Sequence, residues 1–126
     1  MSECNVTIGV DVVDLGSEIN KRIRFSTENT PEAIQCVYGT VAATTPEAIP
    51  MGQVAASLVD MMYIKAIDYD MYVSPVTIVS TGANLKIAAG EACVFRPYDA
   101  SGVLSVGIWS ATAEANYECL IVGQSS

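Results

Sequence analysis

The 126-residue chain contains no histidine. That removes the usual general base for a serine or cysteine nucleophile and the commonest nitrogen ligand of zinc. A serine–lysine arrangement would have to draw on Lys21, Lys65 or Lys86, each in a stretch that reads as a structural strand. Basic residues are scarce, six against fourteen acidic, for a net charge of −8. This argues against nucleic acid and against anionic membrane as partners, because both need a basic footprint. Charged residues make up only 16% of the chain, below the roughly 25% of an average soluble domain. A surface so poor in charge is often covered in part by copies of itself. No apolar run reaches 18 residues, so no helical membrane span is expected. No glycine-rich segment precedes Lys-Ser or Lys-Thr, so no phosphate loop is expected either.

The four cysteines, Cys4, Cys36, Cys93 and Cys119, are widely spaced with no C-x-x-C pair, and they read as buried or half-buried thiols. The first five residues are acidic where an export signal is basic. The expectation is a chain that folds in a reducing cytosol, with no metal and no cofactor.

What is present is hydrophobic residue, 51% of the chain, arranged in short alternating runs. At this size scaling gives a folded surface of roughly 6,400 Å², so a single domain spanning 1–126 can bury a sizeable core. Alternation predicts strands over 6–12, 19–27, 33–43, 61–67, 71–79, 85–87, 92–97, 103–109 and 115–122. In the second, Ile19, Lys21, Ile23, Phe25 and Thr27 share one face. Asn20, Arg22, Arg24 and Ser26 share the other, which should be wet. Gly39 suggests a bulge, and Pro75 suggests a sheet edge or a bulge for its strand. The class predicted is all-β: a two-sheet antiparallel sandwich, jelly-roll-like, of eight or nine strands, with residues 1–5 as a candidate N-terminal arm. Thr-Pro-Glu-Ala-Ile occurs at 30–34 and again at 45–49, a separation too short for a structural repeat.

Few residues suggest chemistry. Asp68 and Asp70 flank Tyr69 in an apparent turn, where aspartate is favoured for its own backbone hydrogen bonds. As a carboxylate pair they are the one opening for hydrolysis, and they lack the ligand run of a calcium loop. Glu91 follows the Ala-Ala-Gly turn and could meet a cation. Arg96 is the candidate, although the two lie on opposite faces of one strand. Tyr69, Tyr72, Tyr98 and Trp109 would stack sugars if exposed together. No catalytic residue is assigned, and the chain is expected not to be an enzyme.

From residue 62 onward the order of features resembles small virion structural proteins of tailed bacteriophages. Tyr63-Ile64-Lys65-Ala66-Ile67-Asp68 is followed by Tyr72-Val73, then by Leu85-Lys86-Ile87-Ala88-Ala89-Gly90-Glu91 and Phe95-Arg96. Ile108-Trp109-Ser110-Ala111-Thr112-Ala113 and Glu118-Cys119-Leu120-Ile121-Val122 close the pattern. Ala66 stands where that pattern has asparagine, and Ile87-Ala88 adds a residue. The resemblance implies a decoration or cement protein in the virion, bound to the major capsid protein or other virion proteins and homo-oligomeric, with a trimer favoured. A tail, neck or fibre component and a carbohydrate-binding module are the alternatives. Candidate interface residues are Asp68, Tyr69, Asp70, Glu91, Arg96, Pro97, Tyr98 and Asp99.

Overall fold

The computed structural model describes residues 3–13, 16, 19–27, 30–55, 58–74, 85–97 and 105–125. Among the described residues ten strands follow one another: β1 (Asn5–Val12), β2 (Ile19–Ser26), β3 (Ala33–Val41), β4 (Glu47–Ala48), β5 (Val59–Ala66), β6 (Met71–Ser74), β7 (Leu85–Ile87), β8 (Ala92–Phe95), β9 (Gly107–Ser110) and β10 (Ala115–Gly123). Strands β3 to β10 build two four-stranded sheets, in the orders β3-β10-β5-β8 and β4-β9-β6-β7, and every strand pair is antiparallel. Counting β3 as the first of eight, the orders read 1-8-3-6 and 2-7-4-5, the jelly-roll arrangement. The all-β sandwich is therefore as the alternation predicted. The total of ten exceeds eight or nine because the short β4 falls in the stretch between 43 and 61 where alternation marked no strand.

Side-chain phase explains the sandwich. Along β10, Ala115, Tyr117, Cys119 and Ile121 are buried between the sheets. Val41, Met62, Ile64, Met71, Val73, Val106 and Ile108 complete a core with no exposed surface or nearly none. Each such side chain stabilises the fold by about 1.5–3 kcal/mol relative to exposure.

β1 and β2 do not join either sheet. They form a two-stranded ribbon in unbroken register from Asn5↔Ser26 to Val12↔Ile19. The ribbon is rooted at its base. Val6 is buried with Met61 and Val122, and Cys4, Tyr63 and Leu120 pack around them. The Thr27 N–H donates to the Cys4 carbonyl at 2.9 Å. Cys4 thus belongs to the root and Asn5 to the first strand, while residues 1 and 2 of the candidate arm lie outside the described residues. The accessible surface, 7451 Å², exceeds by about 1,000 Å² what a compact monomer of this mass shows. A ribbon standing off the sandwich contributes to that excess.

Two local expectations are corrected. Gly39 makes no bulge, since β3 and β10 pair without a break from Ala33↔Gly123 to Val41↔Ala115. It faces Tyr117, and a Cβ there would lie 2.9 Å from the phenol oxygen. The register shift falls instead between Val122 and Gly123, against β5. The strand before Pro75 is not an edge strand either. β6 lies between β9 and β7 and ends at Ser74, and Pro75 lies outside the described residues. The repeated Thr-Pro-Glu-Ala-Ile has no shared role. Its first copy starts β3 with Ala33 buried, and its second supplies β4 with Ile49 buried.

Candidate interaction surfaces

The β5–β6 turn carries Asp68, Tyr69 and Asp70, all exposed. Asp68 Oδ1 accepts the Asn116 backbone N–H at 2.8 Å, and Oδ2 accepts the Asn116 side-chain amide at 2.6 Å. Asp70 Oδ1 accepts the Ala89 N–H at 3.0 Å, and Lys86 Nζ lies 3.5 Å from Oδ2. The Asn116 backbone bond holds the Asp68 carboxyl below its ordinary value. The Ala89 N–H, then Lys86, does the same for Asp70. A glycosidase acid needs the opposite, a carboxyl kept protonated by its surroundings. These two carboxylates tie the turn to β10 and to the β7–β8 turn. A shallow hollow of about 270 Å³ lies between the turn, Tyr72 and Thr112.

Glu91 is exposed and closes its own turn. Its Oε1 accepts the Ala88 N–H at 3.0 Å, and Gly90 supplies the positive φ of 85° that the turn needs. Arg96 is exposed just past β8 and borders a groove of about 340 Å³ at the arm's root, with Ile8, Phe25, Met61 and Val94. Glu91 and Arg96 thus serve different places. Pro97 is buried, so it offers no side chain to a neighbour. Tyr98 and Asp99 lie outside the described residues. Of the aromatic set, Tyr69 is exposed. Tyr72 and Trp109 are half-buried and stacked on each other, with ring centroids 4.7 Å apart. Each has one ring face taken by the other.

The structure adds two apolar surfaces. The first is the arm. Directly paired residues share a face, so Val6, Ile8 and Val10 of β1 lie beside Phe25, Ile23 and Lys21 of β2. Beyond the root this face is open to solvent: Val10 is 51% and Ile23 56% exposed. Arg22 and Arg24 stand on the reverse face. The second surface is a depression of about 500 Å³ where β3, β10 and the end of β5 meet, lined by Tyr38, Gly39, Thr40, Ile67, Asn116 and Tyr117. Tyr38 is 77% exposed and Ile67 48%. Two carboxylates lie next to its lining residues. Asp68 holds Asn116. Glu118 is the cross-strand partner of Tyr38, with Lys65 on its other side. The charge of Glu47 adds to the rise in the Tyr117 pKa, which comes mainly from burial and next from Cys119.

Alternation revealed the apolar phase of β2 but not that the phase is uncovered. Tyr38 and Ile67 were missed because each reads as an ordinary strand residue. The available signal was Ile34, Cys36 and Tyr38 in one phase of β3 with Val37 and Val41 in the other, a strand apolar on both faces.

No family model matches the chain, and no curated protein matches it. A solved structure of Bacillus endospore appendages, described as a novel family of disulfide-linked pili, is similar with a TM-score of 0.49 and 15% identity, over 97% of this chain and 88% of that chain. At this level the likeness carries no functional statement.

Proposed function

We propose that this chain is a non-enzymatic structural subunit of a bacteriophage virion, a decoration or cement protein that acts through subunit contacts. The observation that carries the reading is the arm. A ribbon whose apolar face is open over Val10 and Ile23 is a surface built to be covered, and burying it stabilises an assembly. The jelly roll supports the reading, since it offers a rigid two-sheet body from which such an element can project. The order of features from Tyr63 to Val122 supports the phage assignment. The major capsid protein is the partner expected, with a homo-oligomer, a trimer favoured, as the working form in the particle.

A tail, neck or fibre component is the second reading, and the separate arm and depression favour it, because two unlike contact surfaces also suit a chain of copies. Stacking between Tyr72 and Trp109 leaves the sugar-binding alternative with less open aromatic surface. Quantitative mass spectrometry of purified particles tests the choice. Copies on the scale of the shell protein, with heat- and osmotically fragile shells when the chain is missing, are expected. Copies on the scale of one ring move it to the tail or neck, and absence from the particle overturns the virion reading.

A further inference from the structure

We propose that the β1–β2 arm of one copy seats in the Tyr38–Ile67 depression of a second copy, forming a head-to-tail contact. This deepens the subunit-contact part of the reading above and does not depend on the particle. A two-stranded ribbon is marginal in water by itself and needs a third layer against its apolar face. Among the described residues the arm has that layer only at the root, where Val6 meets Met61 and Val122. Val10, Val13 and Ile23 remain exposed.

Charge decides what the layer is. Three of the chain's six basic residues, Lys21, Arg22 and Arg24, lie in β2, and β1 carries one acid, Asp11. Arg22, Arg24 and Asp11 stand on the reverse face, so the open apolar face of the two strands carries one charge, the cation Lys21, on a chain whose total is −8. Pairing two arms face to face would bring two Lys21 side chains onto one apolar seam with no strand acid to meet them. The depression offers the complement. Its walls, Tyr38 and Ile67, are apolar and exposed. Asp68, bonded to Asn116, and Glu118, the cross-strand partner of Tyr38, flank it, with Lys65 and the Tyr63 hydroxyl on the far side of Glu118. Opposite potentials of this kind speed encounter and fix which surfaces meet.

Position decides the symmetry. The arm is rooted at the Val122 end of β10, and the depression lies at its Asn116 end. Six residues of strand separate them, about 20 Å. Donor and acceptor are thus different patches of one subunit. Such a contact is heterologous, and it closes into a ring or runs on as a filament according to the angle it imposes. A trimer is the case in which it closes early.

Sedimentation of the purified full chain over a concentration series tests this, with two variants built from exposed residues. The arm variant is Val10→Glu with Ile23→Glu, and the patch variant is Tyr38→Glu with Ile67→Glu. The wild type is expected to associate, less tightly as salt is raised. Each variant is expected to bind itself about a hundredfold more weakly, a free-energy change of two factors of ten. Mixing the two leaves one good arm and one good depression, so a 1:1 dimer that grows no further is expected. Because an altered surface residue can disturb folding, each variant is first melted. A second pair, Lys21→Glu with and without Glu118→Lys, reads the same contact by loss and recovery. A wild type that stays monomeric at about 1 mM, a weaker contact than any working interface, overturns the proposal. Undiminished association of the folded arm variant does so too, as does a variant mixture that stays monomeric. Absence of the chain from particles would overturn the virion reading and leave this contact standing.

Discussion

Asp68 grips Asn116 with both carboxylate oxygens, one on the backbone N–H at 2.8 Å and one on the side-chain amide at 2.6 Å. The pair pins the β5–β6 turn to the start of β10, 48 residues later in the chain. Because the bonds favour the ionised carboxylate, its pKa is lowered on folding. Its contribution is therefore present above the ordinary carboxylate value and lost as pH falls through the lowered one. Asp68→Asn is expected to reduce stability at neutral pH and to flatten its decline on the acid side. Urea melts across pH 2 to 7, roughly the carboxylate range, check both.

Gly39 is required by its neighbour across the ladder. A methyl group there would sit 2.9 Å from the Tyr117 oxygen and 3.0–3.1 Å from two ring carbons. Gly39→Ala is expected to cost about 1–3 kcal/mol, the usual range for overpacking. Trimming the ring in a Gly39→Ala, Tyr117→Leu double variant should recover part of that loss relative to the two single changes, a coupling that a double-mutant cycle measures.

The thiols should separate by reactivity. Cys36 is exposed, while Cys119 is buried and its pKa is pushed up from 9.0 to about 12, by burial first and then by Cys93 and Cys36. A thiol reagent at neutral pH is expected to modify Cys36 quickly and Cys119 only after unfolding. Since the folded form holds the Cys119 proton more tightly, its contribution is full below 9 and is lost as pH rises toward 12. Stability should accordingly fall on the alkaline side over that span.

Two isoleucines distinguish body from arm. Ile64 has no exposed surface and Ile23 is 56% exposed. Ile64→Ala is expected to cost about 2–5 kcal/mol. Ile23→Ala should stay within about 0.5 kcal/mol for the isolated subunit. A larger loss at Ile23 under dilute, monomeric conditions would mean that the arm is covered within its own chain.

Much of the sandwich is legible in the sequence, because alternation is a local property. The runs around Ile64, Val73 and Ile121 each announce one buried face. The β1–β2 arm has the same signature as a core strand. A period of two says that Val10 and Ile23 share an apolar face but is silent on what lies over it. Asp68 and Asp70 are readable as turn aspartates, whereas their partners Asn116 and Ala89 are fixed by topology. Glu91 was expected to look for a cation and instead accepts the Ala88 N–H, since a carboxylate one turn away from a free amide meets it first. Pro97 reads as a surface residue by type but falls where β8 ends, inside the fold.

The place of β10 also sets the timing of folding. It is the last strand in chain order yet sits between β3 and β5. During synthesis β3 and β5 must therefore wait with their apolar faces unjoined until residue 123 has left the ribosome. Closing a loop from residue 33 to residue 123 before the sheet gains anything makes the fold slow and exposes it to wrong partners meanwhile. A chain shortened by its final strand would lose the centre of that sheet, and would be expected to accumulate as aggregate rather than as a smaller sandwich.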